Sequence, residues 1–474
     1  MARFTLTDIL TATGGTLLQG AAEEVFEGVS TDSRSSRPGD LFVALRGEHW
    51  DGHQFIGEAF AKGARGALIS EARHAWRQPG ESTRHGHARH GMIQVKDTLA
   101  ALGALARYHR QRFAIPTVGI TGSNGKSTTK EMTAAVLARR WNVLKNSGNL
   151  NNLIGLPLSL FGLTSQHHVA VLEMGMNRPG EIRSLAQIAR PTIGVLTNIS
   201  EAHLEGLGSL EGIRRAKGEL LEVMGPAGVA VLNADDPKVM ELRAGFSGRV
   251  LTFGVECAAD IRGIDLVCDH QGRPGFHLRC GHEEARVHLP VSGYHNVYNA
   301  LAAATVAHAL GLSLAEIEAG LLVFQPMPMR LQVIDLPQGR RLINDTYNAN
   351  PSSVEMAITT LGALPPKGPK VLVLGDMLEL GAAAEALHRR VGGAVAQSGI
   401  DALVTVGPLA CFIVEEAIRQ GFPVSRAQAC ETVEQAQAVV LQLTPPRSSV
   451  VVKGSRGVHM ERLVEALLTV WKDG

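Results

Sequence analysis

The segment GITGSNGKSTTK, Gly119 to Lys130, combines the residue types that hold phosphate. It follows the β-type run IPTVGIT and precedes the helical pattern STTKEMTAAVLARR, the setting a phosphate loop requires. Backbone N–H groups of Gly122, Ser123, Asn124, Gly125 and Lys126 are expected to point into one concavity. The N-terminus of the following helix, with Ser127 and Thr128, adds about half a positive charge there. Lys126 can reach the β- and γ-phosphates, and the Ser127 hydroxyl can ligate Mg²⁺. The spacing departs from GxxxxGKS because Ile120 stands where that pattern has glycine. A glycine-rich turn with no ligand is the bland alternative, and the gathering of Gly, Lys and Ser at a strand-to-helix junction speaks against it. Such a loop alone names no reaction, because GTPases, kinases, transport ATPases and ligases all carry one.

Three more residues belong to the same part of the chain. Glu173 ends the apolar run HVAVLEMG, which puts a carboxylate at the carboxyl edge of a sheet, where ligands of α/β proteins gather. His203 follows another strand pattern, in TNISEAHLEGLG, and should emerge at the same edge. Lys217 sits in RRAKGELLE on a helical pattern. Taken singly, each has an ordinary explanation as a surface acid, a loop histidine and a solvated lysine.

The elements that must position these residues fall into three segments, expected as 1–95, 96–325 and 326–474. The first has short apolar runs, Leu41 to Leu45 and Ala67 to Ile69, flanking one helical pattern, and reads as a small α/β unit. It ends in a polar stretch, RQPGESTRHGHARHG. His85, His87 and His90 there lack acidic or cysteine companions and read as a solvated loop rather than a metal site. In the second segment HVAVLEM, TIGVLTNI, GVAVLN and RVLTFG alternate with helical stretches, the pattern of a parallel sheet. Residues 261–292 read as an appended antiparallel piece. After QPMPM, the strands RRLINDTY, KVLVLGD, ALVTVG and SVVVKGS predict a second, Rossmann-like doubly wound unit. The expected fold class is α/β in three units, with a P-loop-type parallel sheet in the middle.

TGSNGKST, LEMG, NISEAHLEG and the lysine of AKGE together resemble the Mur ligases and their relative folylpolyglutamate synthase. The resemblance covers the whole chain in family order. It implies an ATP-dependent carboxylate–amine ligase in which Ser127 and Glu173 bind Mg²⁺. His203 would help hold a second ion, and Lys217 would carry a CO₂-derived carbamate. A role for His203 as general base is the lesser alternative. HNVYNALAA is similar to the family motif whose asparagines meet adenine, which implicates His295, Asn296 and Asn299. Arg330 and Asp345 match positions near the ATP phosphates and ribose. Many relatives have glycine before that arginine and aspartate before that aspartate, where this chain has Met329 and Asn344.

NDTYNANPSS and VLGDMLELG are similar to the motifs of the family member that adds D-alanyl-D-alanine to UDP-N-acetylmuramoyl-tripeptide. This makes Tyr347, Asn348 and Asn350 candidates for the dipeptide. The Asp-Asn-Pro-Arg selector of the tripeptide-forming sibling is absent. Lys453, Ser455 and Arg456 of KGSRG are implicated at the substrates. TDSRSSRPGDLFVALRG resembles a UDP-binding unit, with Asp32, Ser33 and Arg34 at the uridine or its diphosphate. NSGNLNNLIGLP, with Asn149, Asn151 and Asn152, resembles the strip that receives the muramoyl peptide. Another amino-acid ligase of the superfamily is the first alternative, and a nucleotide-gated binding protein without ligase activity is the second.

The whole-chain figures are compatible with this. At 474 residues, 45% hydrophobic and 19% charged, the chain is an ordinary globular one. A net charge of +1 argues against a broad nucleic-acid surface. Five cysteines without a CxxC pair suit a reducing compartment. Without a long apolar run the expectation is a cytoplasmic protein with no signal peptide or membrane span, and a monomer.

Overall fold

The computed structural model describes residues 2–21, 23–70, 90–365 and 367–473. His85 and His87 lie outside them, while His90 stacks on Phe60 with ring centroids 3.9 Å apart.

Three sheets carry the α/β architecture. The first, in spatial order, joins Thr16–Gln19, Gly91–Val95, Gly66–Ser70, Asp40–Val43 and Gly28–Ser30. Only the Thr16–Gln19 pairing is antiparallel. The strands over the apolar runs near 41 and 67 were legible; Gly28–Ser30 is three residues long and gives too short a pattern to read.

The central sheet has nine strands. Thr117–Thr121 lies between Val169–Glu173 and Ile193–Leu196, and all three run parallel. Beyond them the parallel order continues through Val229–Asn233 and Arg249–Gly254 to Ile261–Cys268. Pro274–Cys280 and Glu283–His288 extend the same sheet antiparallel, as expected for 261–292, while the first strand of that piece, Ile261–Cys268, joins the main sheet in parallel.

Both faces are covered, as a parallel sheet demands. Side chains alternate with period two. Val118, Ile120 and Val171 pack with Met132 and Val136 of the helix Lys126–Leu137 and with Val297 and Leu301 of His295–Ala309. Leu172, Leu196 and Leu232 pack on the opposite face with Leu185 and Leu220. Leu220 belongs to the helix Leu210–Met224, which also carries Lys217 and starts where Ser209 Oγ accepts from Gly212 N–H at 3.0 Å. The third sheet orders Gln332–Asp335, Arg341–Asp345, Ser449–Lys453, Lys370–Gly375, Ala402–Val406 and Ala427–Cys430, parallel apart from the first pair. The carboxyl ends of its strands face those of the central sheet across a cleft of about 630 Å³.

Candidate active site

The strand Thr117–Thr121 ends in a turn whose glycines are forced by sterics. At Gly122, φ is +152° and an added Cβ would lie 1.8 Å from Thr197 Oγ1; at Gly125, φ is +81° and it would lie 2.2 Å from Asn299 Oδ1. The turn is tied to the loop after the next strand. Ser123 N–H donates to the Asn198 carbonyl at 2.9 Å and Asn124 N–H to Asn198 Oδ1 at 2.8 Å. Thr197 Oγ1 donates to the Asn124 carbonyl at 2.6 Å.

This narrows the expectation that every N–H group from Gly122 to Lys126 faces one concavity. Those of Ser123 and Asn124 are engaged by residue 198. The donors that remain are in the first turn of Lys126–Leu137, which has no side-chain cap and where N–H groups have no acceptor within the helix. Lys126 Nζ folds back to donate to the carbonyls of Gly122 at 2.8 Å and Ser123 at 3.2 Å. Burial pushes its ammonium below the ordinary lysine value, Glu173 opposes this and Arg330 adds to it.

Glu173 is 2% exposed. Asn146 clamps its backbone, accepting from its N–H at 2.9 Å and donating to its carbonyl at 3.0 Å. Asn151 Nδ2 donates to Glu173 Oε1 at 2.8 Å, and Oε2 is buried with no hydrogen-bond partner. Asn151 thus holds the carboxylate as well as lining the cleft with Asn149 and Asn152. Asn152 Oδ1 accepts from the N–H groups of Ile154 and Gly155. His203 also lines the cleft, and its Nδ1 lies 2.5 Å from Glu379 Oε2. Lys217 is buried behind the wall rather than on it. Burial, reinforced by the charge of Lys126, pushes its amine well below the ordinary value.

The third sheet brings its residues onto the same loop. Arg330 Nη2 donates to Ser127 Oγ at 2.9 Å, and the guanidinium lies 3.9 Å above the Tyr347 ring. Asn350 Nδ2 donates to Asn124 Oδ1 at 2.9 Å, while its own Oδ1 accepts from Ser353 N–H to cap the helix Pro351–Gly362. Asp345 Oδ2 accepts from Lys453 Nζ at 2.6 Å, and Lys453 also donates to the Asn348 carbonyl at 3.0 Å. Ser455 Oγ donates to the Ala349 carbonyl at 3.2 Å, and Arg456 Nη1 lies 3.5 Å from Glu461. Met329, the residue before Arg330, has left-handed backbone with φ +62°, a conformation glycine adopts at lower cost. Asn344 is buried and accepts from Thr346 through its Oδ1.

His295, Asn296 and Asn299 form one end of the cleft. Asn299 Nδ2 donates to Asn296 Oδ1 at 2.9 Å, and Asn299 Oδ1 accepts from Thr129 Oγ1 at 3.2 Å. Burial lowers the His295 ring to about 4.

Asp32, Ser33 and Arg34 are not in this cleft. They form their own turn on the first sheet. Asp32 pairs with Arg34 at 2.8 Å, which lowers the Asp32 carboxyl to about 2, and Ser33 Oγ donates to Glu58 at 2.9 Å. The sequence reading missed Asn146, residues 197–200 and the contact of Glu379. Each acts through a partner distant in the chain, which no local spacing reports.

Three family profiles cover most of the chain: the Mur ligase middle domain at residues 120–307, the glutamate ligase domain of Mur ligases at 329–456, and the Mur ligase family catalytic domain at 25–110. The UDP-N-acetylmuramoyl-tripeptide--D-alanyl-D-alanine ligase of Bacillus subtilis is 36% identical over 99% of both chains. This chain belongs to the Mur ligase family. The Escherichia coli ligase of the same name is 38% identical over 98% of this Mur ligase and 97% of its own length. Among solved structures, MurF from Acinetobacter baumannii superposes with a TM-score of 0.89 at 34% identity, covering 99% of each chain. MurF from Thermotoga maritima in complex with ADP gives 0.81 at 28% identity, covering 94% of this Mur ligase and 98% of that chain.

Two outcomes follow from this geometry. Gly122→Ala should weaken ATP binding roughly tenfold or more, since the new methyl meets Thr197 and the turn must shift; calorimetry giving wild-type affinity would refute it. His295 should stay neutral at pH 5 by NMR titration. Its folded pKa is depressed, so the unfolded chain takes up a proton the folded site refuses. Stability therefore falls as pH drops from the ordinary 6.5 towards about 4, and His295→Gln should flatten that slope.

Proposed function

We propose that this Mur ligase uses ATP to join D-alanyl-D-alanine to UDP-N-acetylmuramoyl-tripeptide, as a monomeric cytoplasmic enzyme making the peptidoglycan precursor. The observation that carries the reading is one cleft in which the phosphate loop, Glu173 and His203 meet Arg330, Asp345 and Tyr347 from the third sheet. Full-length similarity to ligases of that name supports the substrate assignment. Boundaries near residues 95 and 325 then separate a UDP-substrate unit, an ATP unit and a ligase unit.

ATP lies with its adenine towards His295, Asn296 and Asn299 and its phosphates at the helix start of Lys126–Leu137. Lys126 exchanges the loop carbonyls for phosphate oxygens, and Arg330 leaves Ser127 for the γ-phosphate. An oxygen of the tripeptide's terminal carboxylate attacks the γ-phosphorus and ADP departs, leaving an acyl phosphate. The dipeptide amine then attacks the carbonyl carbon and loses a proton, and phosphate leaves with the attacking carboxylate oxygen. Tyr347, Asn348 and Asn350, with Lys453, Ser455 and Arg456, orient the dipeptide and the peptide end. Asn149, Asn151 and Asn152 receive the muramoyl peptide, and Asp32, Ser33 and Arg34 the UDP. Lys126 and Arg330 contribute by holding charge where it develops.

Mg²⁺ fits the donor set: Glu173 Oε2 is buried and unpartnered, and Ser127 Oγ lines the same cleft. Among the described residues no three acidic, histidine or cysteine side chains cluster as a metal site. Glu173 and Ser127 would therefore hold the ion without a full protein cage, as is usual for Mg²⁺, and when bound it would supply charge neutralisation on the phosphates. A second ion would be held at His203 and Lys217. The buried, neutral-leaning amine of Lys217 suits addition of CO₂, which would convert it to a carbamate.

A coupled phosphate-release assay tests the function. Release should require both the UDP-tripeptide and D-alanyl-D-alanine, single amino acids should not replace the dipeptide, and Lys126→Ala should cost roughly 100- to 1000-fold in rate. Dipeptide-independent release, or full ligation by the variant, would sink the reading. In ¹³C-bicarbonate, NMR should show a carbamate resonance that Lys217→Ala abolishes; no such signal in the active enzyme would remove the carbamate.

A further inference from the structure

Glu379 lies in VLGDMLELG, on the turn that follows the strand Lys370–Gly375. It reaches from the third sheet to the loop after the central strand Ile193–Leu196, where its Oε2 sits 2.5 Å from His203 Nδ1. A backbone bond doubles the contact, Glu205 N–H donating to the Glu379 carbonyl at 3.0 Å. The two segments are in van der Waals contact: a Cβ on Gly381 would lie 3.4 Å from Glu205 Cα.

Both partners hold left-handed backbone, φ +57° at His203 and +63° at Glu379. Side-chain-bearing residues keep that conformation only where the surroundings over-determine it, and such residues cluster at functional sites. A neighbouring pair across the same interface, Arg390 with Glu201 at 3.0 Å, shows no such backbone and is an ordinary exposed ion pair. The difference lies in what the contact does to the ring. An imidazole that donates Nδ1–H to a carboxylate carries its lone pair on Nε2, on the opposite edge. His203 lines the cleft, so fixing Nδ1 fixes which nitrogen the cleft meets.

We propose that Glu379 is a positioning residue: its carboxylate holds His203 by Nδ1, selecting the tautomer that presents Nε2 to the ATP site. Because Glu379 belongs to the third sheet, the selection occurs only when that unit is docked, together with the arrival of Arg330 on Ser127 and Asn350 on Asn124. The inference rests on the ligase reading of the cleft.

The test uses the full-length enzyme with ¹⁵N-labelled histidine, the His203 signals being those lost in His203→Gln. In the wild type these should report the Nδ1–H tautomer. Glu379→Ala and Glu379→Asp, the second only one methylene shorter, should give mixed tautomers and a kcat roughly 10- to 100-fold lower at unchanged KM for ATP. Glu379→Gln, whose amide oxygen still accepts from Nδ1–H, should restore both, and Arg390→Ala should change neither. A wild-type tautomer and kcat in the Ala and Asp variants, or equal losses in Arg390→Ala, would overturn the proposal. Failure of the wild type to release phosphate with D-alanyl-D-alanine would sink the ligase reading alone, since the tautomer is read without turnover.

Discussion

The turn from Gly122 to Gly125 is pressed against residues 197–200 on one side and the Asn299 side chain on the other, with no room for a Cβ at either glycine. Every other feature of the cleft takes its place from that contact. Pinning Ser123 and Asn124 to Asn198 aims the helix Lys126–Leu137 at a fixed point, and the Thr129–Asn299–Asn296 chain ties the same loop to the far end of the cleft. A nucleotide bound between these ends would meet backbone donors already in position, leaving Lys126 and Arg330 as the side chains that move to its phosphates.

The electrostatics follow. Lys217 is buried close to Lys126, which is half-buried on the cleft wall, Arg330 comes in from the third sheet, and Glu173 is the buried carboxylate among them. Such a concentration of positive charge is unfavourable without an anion, and burial lowers both amines accordingly. A polyphosphate relieves it. Hydrogen bonds and ion pairs join the central and third sheets, Arg330 to Ser127, Asn350 to Asn124, His203 to Glu379 and Arg390 to Glu201, beside an apolar contact of Leu204 with the core of the third unit. Relative motion of the units about such contacts suits an enzyme that must admit three substrates and exclude water while the acyl phosphate exists.

Much of this was legible in the sequence because it is written locally. The phosphate loop, the strand-end Glu173 and the helical Lys217 all follow from patterns within about ten residues, and the parallel strands announce themselves as apolar runs. What stayed hidden depends on pairing across the chain. Asn151 reads as one of several asparagines in NSGNLNN, yet it grips a carboxylate 22 residues away. Asn350 reads as a substrate contact but also caps a helix and touches the loop 226 residues earlier. Glu379 sits in a recognisable motif whose partner, 176 residues distant, no spacing reveals. Short edge strands such as Gly28–Ser30 were missed for a simpler reason: three residues cannot display a period.

Direct phosphorylation of the tripeptide carboxylate in this cleft is read by placing oxygen-18 in that carboxylate. Attack on ATP followed by displacement by the dipeptide amine carries one labelled oxygen into the released phosphate for each amide bond made. Mass spectrometry of the phosphate should find that single label. Amide formation with unlabelled phosphate would rule this route out, because no acyl phosphate could then have formed.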